Sequence, residues 1–164
     1  MLDIEPLLEL AIATARQSPS RPRKVGAVLV LADGTTTLAA CNDFPAGVRD
    51  LEARHAYPER LLWIEHAERN AIFAAARRGL GTAGATLLAT FHPCADCARA
   101  IVQAGIATLH TLPPDFADPL WGSGFHCSRA ILEEGRVRVV YLERDPELMH
   151  ALTLGNDPGR KPGS

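Results

Sequence analysis

Two short motifs constrain what this chain can fold into. His66-Ala67-Glu68 is followed about two dozen residues later by Pro93-Cys94-Ala95-Asp96-Cys97. Together they read H-x-E and P-C-x-x-C. One imidazole and two thiolates, from His66, Cys94 and Cys97, make a three-ligand zinc set. Its fourth position is left open for water, which marks a catalytic rather than a structural zinc. Cys94 and Cys97 are three apart and share one face of a helical turn. Pro93 suits a helix start, where its missing donor costs little. The partial positive charge of a helix N-terminus favours thiolates. His66 and Glu68 are two apart and diverge in mid-helix, but converge at the first turn of a helix whose end points at the site. The motif therefore demands a fold in which two helix N-termini face each other.

The same residues carry a chemistry. Zinc lowers the pKa of a bound water to about 7, giving hydroxide at neutral pH. Hydroxide can attack an amidine-type carbon such as C4 of cytosine. Glu68 is placed to take the water proton, pass it to the ring nitrogen and carry one to departing ammonia. Two plainer readings compete. A closed zinc knuckle needs a fourth protein ligand, for which Cys127 with neighbouring His126 is the candidate. A C-x-x-C redox pair leaves His66 and Glu68 without a role.

Hydrophobic periodicity places these motifs on elements. Residues 3–17 read as an opening helix with Asp3 as a plausible cap and an apolar stripe through Leu7, Leu8, Ala11 and Ile12. Val25 to Leu31 is continuously apolar, as in a strand buried on both faces. Asp33-Gly34 is a hairpin turn signal, with Thr36 to Ala40 as the returning strand. Residues 42–61 read as a long functional loop leading into the metal motif. His66 to Arg78 reads as a helix ended by Gly79, and 85–90 as a third strand. A helix follows over 95–104, closed by Gly105 as C-cap. A fourth strand over 109–112, a proline-marked loop, a helix over 128–134 and a fifth strand over 137–142 complete the order. The expectation is an α/β fold, a three-layer α/β/α sandwich with a mixed five-stranded sheet. Residues 1–155 form a single domain and 156–164 a flexible polar tail.

Composition narrows the partners. The chain has 164 residues, enough for one domain with a real core, and a net charge of -2. A protein that grips a nucleic-acid backbone usually shows a basic excess. Here the basic residues are scattered, apart from Arg21, Arg23 and Lys24. The expected partner is a small-molecule substrate rather than a nucleic-acid polymer. No apolar run approaches a membrane span and the N-terminus opens with acidic Asp3 and Glu5, unlike a signal peptide. The four cysteines are too few for a disulfide scaffold. A reducing cytoplasm is the simplest home.

From Val25 onward the chain resembles the cytidine/deoxycytidylate deaminase superfamily, nearest the deoxycytidylate (dCMP) branch. The stretches that carry the likeness are Arg23 to Val28, Asn42 to Val48 with Asp50, His66-Ala67-Glu68-Arg69-Asn70-Ala71-Ile72, Pro93 to Ala98, and Gln103 to Ile106. The split motif is itself the signature of zinc-dependent base deaminases. The resemblance implies Zn2+ on His66, Cys94 and Cys97, and Glu68 as proton shuttle. It implies that Asn42 contacts the sugar or base and that the backbone of Ala67 helps hold the pyrimidine. The cytidine deaminase-like fold it implies is the α/β/α sandwich already read from the pattern, assembled as a homo-oligomer. This chain departs from the branch at Ala40 to Asp43 and at Pro113 to Phe116, on the two loops expected to line the pocket. On the second loop, Phe116 and Trp121 are candidates to stack on a base. His92 could face the pocket or back the metal, with a role behind the metal or at the surface favoured. Trp63 and Ile64 read as packing behind the metal, and Arg49, Arg54 and Arg60 as loop cations.

The expected activity is hydrolytic deamination of a cytosine-type nucleotide, dCMP to dUMP and ammonia by resemblance. The enzyme rivals are an aminohydrolase of a free base, nucleoside or other amino-heterocycle, and a tRNA-editing adenosine deaminase. The rival from another class is a deaminase-like binding or regulatory subunit, against which Glu68 argues.

Overall fold

A computed structural model describes residues 2–143 and 149–150 of the chain. The element order is α1 (Glu5–Ala15), β1 (Gly26–Val30), β2 (Thr37–Cys41), α2 (Arg60–Trp63), α3 (Ala67–Arg77), β3 (Thr86–Ala89), α4 (Ala95–Gln103), β4 (Thr108–Thr111), α5 (Gly122–Glu134) and β5 (Arg138–Tyr141). The strands form one mixed sheet in the order β2-β1-β3-β4-β5. β1 runs antiparallel to both of its neighbours, while β3, β4 and β5 are parallel.

The apolar run beginning at Val25 becomes β1, and all five of its residues are buried. Alternate side chains serve opposite layers, as strand geometry requires. Val28, Val30 and Leu88 meet Ala11 of α1 on one face. Ala27, Leu29, Leu87, Ala89 and Leu109 pack with residues of α3, α4 and α5 on the other. Burying each leucine of this set contributes roughly 1.5–3 kcal/mol. In α3 the small residues Ala67, Ala71 and Ala75 recur at i, i+4 and i+8 and are fully buried, letting the helix sit close on the sheet. α1 comes closer still. A Cβ on Gly26 would overlap the Ala11 carbonyl oxygen.

The hairpin turn is built as its sequence suggests. Asp33 Oδ1 accepts from the amides of Thr35 and Thr36, each at 2.8 Å, and Gly34 takes φ +73°. Gly105 caps α4 at φ +70°. Three expectations are corrected. α1 starts at Ile4 as N-cap with no side-chain cap, and Asp3 reaches the Glu5 amide at 3.3 Å instead. The long loop is partly ordered into a 3-10 turn, Glu52–Arg54, and the short helix α2. Its base is closed by paired backbone hydrogen bonds between Asp43 and Glu65, at 3.0 and 2.8 Å. α5 begins at Gly122 rather than Ser128. Gly122-Ser123-Gly124 has poor intrinsic helix propensity, but tertiary packing overrides it. Phe125 is buried, and a Cβ at Gly122 would overlap the Phe116 carbonyl. The expected tail, 156–164, lies outside the described residues.

Candidate metal centre and its cavity

Two helix starts supply the site. His66 is the N-cap residue of α3 and Cys94 the N-cap residue of α4, both with extended backbone at φ -80°, ψ 150° and φ -69°, ψ 172°. Neither uses its side chain to cap its own helix. Glu68 and Cys97 follow in the first turns. The N-terminal ends of the two helices thus present their positive partial charge to one spot, as the spacing of the motifs required.

The side chains converge. His66 Nδ1 lies 3.5 Å from Cys94 Sγ and 3.5 Å from Cys97 Sγ. Zinc–sulfur bonds of about 2.3 Å and a zinc–nitrogen bond of about 2.1 Å at the tetrahedral angle put N and S about 3.6 Å apart. The two nitrogen–sulfur distances therefore match two edges of a zinc tetrahedron, and all three ligand atoms lie within 4.8 Å of one another. Among the described residues, it is also the one His/Cys/Asp/Glu cluster that could hold a metal ion. The proposed fourth ligand for a closed knuckle is absent from it. Cys127 is exposed and His126 stacks on Phe116 with ring centroids 4.3 Å apart.

Charge at the site follows from burial and proximity. Hydrogen bonding from Cys97, reinforced by His66, brings the Cys94 thiol down to about 4 against the cost of burial. The same pairing and burial push the Cys97 thiol up. Burial by itself would lower the His66 imidazole, but its contact with Cys94 and the nearby Glu68 hold it above its usual value. Glu68 is 3% exposed, and burial raises its carboxyl above the ordinary range. A carboxyl shifted upward beside a metal triad is suited to carrying protons.

Neighbouring residues fix the triad from behind. Glu65 Oε1 accepts from the His66 amide at 2.8 Å and from Arg69 Nε at 2.6 Å. Asn70 Nδ2 donates to the Cys41 carbonyl at 2.9 Å, tying α3 to β2. Ser128 of α5 donates to the Pro93 carbonyl at 2.7 Å, just before Cys94. His92 lies beside it, with Nε2 3.4 Å from Ser128 Oγ, and burial lowers it to about 4. Glu65 and Ser128 escape a reading by motif because each contacts backbone rather than ligand.

An open cavity of about 260 Å³ lies over the triad. His66, Glu68, Asn42 and Trp121 all line it. The Trp121 ring stands edge-on to the His66 imidazole at 5.5 Å. Asn42 is buried with its amide engaged, Oδ1 accepting from the Val25 amide at 2.8 Å and Nδ2 donating to the Arg23 carbonyl at 2.9 Å. Ala67 is buried at the first turn of α3. Phe116 is not brought to the cavity wall; it is half-exposed, between His126 and the Arg129 guanidinium. Ile64 lines the cavity rather than backing the metal, and Trp63 lies under the Arg54 guanidinium at 3.7 Å. His92 also faces the cavity.

Among the described residues, two arginines line the cavity. Arg23 is paired with Asp118 at 2.7 Å and lies 5.0 Å over the Phe91 ring. Arg60 sits over the Tyr57 ring at 5.3 Å. Asp118 links Arg23 to the turn that precedes α5. Its Oδ2 takes the Arg23 bond, while Oδ1 accepts from the amides of Leu120 and Trp121, each at 2.9 Å. Burial would raise the Asp118 carboxyl, but the bonds from Trp121, Arg23 and Leu120 outweigh it and hold the group below its usual value. Among the described residues, no helix is long and apolar enough to cross a membrane.

Comparison with known proteins places this geometry. Residues 1–112 match the family described as the cytidine and deoxycytidylate deaminase zinc-binding region. A deaminase of Aliivibrio fischeri, itself uncharacterized, is 31% identical over 124 residues, 74% of this chain and 81% of that one. The deoxycytidylate deaminase of Enterobacteria phage T2 is 57% identical over 44 residues. That stretch is 27% of this chain and 23% of the phage protein, so the chain matches well under two thirds of that relative. Among solved structures, the dCMP deaminase of cyanophage S-TIM5, in complex with dCMP and dUMP, superposes with a TM-score of 0.66 at 25% identity. The match covers 84% of this chain and 95% of that one.

Proposed function

This chain belongs to the cytidine and deoxycytidylate deaminase family, and from that premise we propose that it is a zinc-dependent deaminase converting dCMP to dUMP and ammonia. The observation that carries the reading is the His66–Cys94–Cys97 triad at zinc-tetrahedron spacing with the buried Glu68 in the same cavity. His66, Cys94 and Cys97 would hold the zinc, which would supply Lewis acidity and make water nucleophilic at neutral pH.

The residues of the chain do the rest. Glu68 accepts the proton that water loses, hands it to the ring nitrogen beside the reacting carbon, and carries the next one to the departing amine. Its raised affinity for a proton suits both steps. Trp121 offers an aromatic wall for the base, and Asn42 and the first turn of α3 bound the pocket where the resemblance puts sugar and pyrimidine. Arg60, on the cavity wall, supports a substrate bearing a phosphate. Assembly as a homo-oligomer belongs to the same reading and is checked by sedimentation.

A second reading has an observation in its favour. Arg23 is already neutralised by Asp118, which suits an uncharged nucleoside or free base. Ammonia release by the zinc-loaded protein from dCMP, deoxycytidine and cytosine tests both. Preference for dCMP supports the first reading, preference for deoxycytidine or cytosine the second. No release from any amine-bearing base overturns both and leaves the binding-subunit class.

A further inference from the structure

We propose that Asp118 is a positioning residue that holds the Trp121 indole as a wall of the substrate-base pocket. This rests on the reading of the cavity as a site for a flat amino-heterocycle. The placement of Trp121 needs an explanation. It precedes a helix that opens Gly122-Ser123-Gly124, a stretch with little intrinsic preference for helix, and no side chain of its own caps that helix. Asp118 supplies what is missing. One carboxylate oxygen accepts from the amides of Leu120 and Trp121, and its backbone carbonyl accepts from the Gly122 amide at 2.9 Å. The second oxygen is tied to Arg23, which also lines the cavity.

The carboxylate thus has both oxygens engaged, its side chain 8% exposed. Arg23 is fixed in turn on the Phe91 ring. The indole whose backbone is held this way stands 5.5 Å from the His66 ring and faces the cavity. A base seated over the triad meets that face. Asp118 touches no reacting atom, so its loss weakens binding of the heterocycle while leaving the metal in place.

The test uses the zinc-loaded full chain in a Trp63→Phe background, where Trp121 is the single remaining tryptophan. Asp118→Ala is expected to move Trp121 emission to longer wavelength and raise KM about tenfold, the scale of a lost base–aromatic stack. Zinc content stays unchanged and kcat falls less than KM rises. Asp118→Asn keeps an oxygen for the two amides and is expected to restore the emission and most of KM. Wild-type emission and KM in Asp118→Ala overturn the proposal. Equal damage in Asp118→Asn also overturns it, since the ion pair with Arg23 then carries the effect. Should Asp118→Ala fail to fold, Asp118→Glu shifts the acceptor by one methylene. Displaced emission there supports the proposal, and wild-type emission overturns it. Absence of deamination on every heterocycle, with emission still governed by Asp118, removes the deaminase reading and leaves the placement of Trp121 supported.

Discussion

His66 and Cys94 hold the same station on two different helices. Each is an extended N-cap residue whose side chain turns away from its own helix and toward the other, and the two meet at 3.5 Å. A metal bound between them joins α3 to α4 at their positive ends. The joint is built from backbone geometry as much as from side chains, so its energetics reach into the fold.

Glu68→Gln separates metal binding from proton transfer. The amide fills the same volume and cannot exchange protons. Zinc content is expected to stay at the wild-type level while turnover falls about 10²–10⁴-fold or more. Metal analysis beside ammonia release checks this. Retained turnover in the loaded variant removes Glu68 from its role.

Chelation is expected to lower thermal stability along with activity. Ligand that binds the folded state alone stabilises it by about 4 kcal/mol at a thousandfold excess over Kd. Calorimetry of zinc-loaded and stripped protein should show a higher Tm in the loaded form, and re-addition of zinc should recover it. Equal Tm values would mean the triad holds no ion.

The Asp118 carboxylate gives a pH signature. Its pKa in the fold lies below the ordinary 3.8. A depressed carboxylate contributes stability above the unfolded pKa and loses it as pH falls through the folded one. Asp118→Asn should therefore be less stable than wild type at pH 7, with the gap closing below about pH 4. Urea melts at both pH values decide it.

Gly26→Ala tests the approach of α1. The added methyl group would overlap the Ala11 carbonyl oxygen, which belongs to backbone and cannot swing aside. The expected loss is about 1–3 kcal/mol or more, as for other overpacked cores. Gly81→Ala, where nothing lies within 4 Å, is the control and should change stability little. Denaturant midpoints compare the two.

Much of this was legible in the residues. The order of strands and helices follows from periodicity, and the meeting of His66, Cys94 and Cys97 from the spacing of ligands. What stayed hidden depends on pairs remote in sequence. Asp118 reads as a loop acid until the fold brings Arg23 to it across 95 positions. Ser128 reads as one more helical residue until its hydroxyl reaches the Pro93 carbonyl. The start of α5 was obscured for a local reason: glycines at 122 and 124 argue against a helix, and tertiary contact decides for one. Phe116 and Trp121 look alike as loop aromatics, yet the chain turns one into the cavity and the other onto His126.

The two backbone hydrogen bonds between Asp43 and Glu65 clasp the excursion 44–64 at its base. Loop-closure cost rises only slowly with length, so a clasped segment can be lengthened or exchanged with little penalty to the sheet beneath. Arg60, Leu61 and Ile64 reach the cavity from this segment, whereas the metal ligands all lie outside it. One part of the cavity wall is thus carried on a segment fastened at its base, while the triad and the rest of the wall belong to the framework beneath.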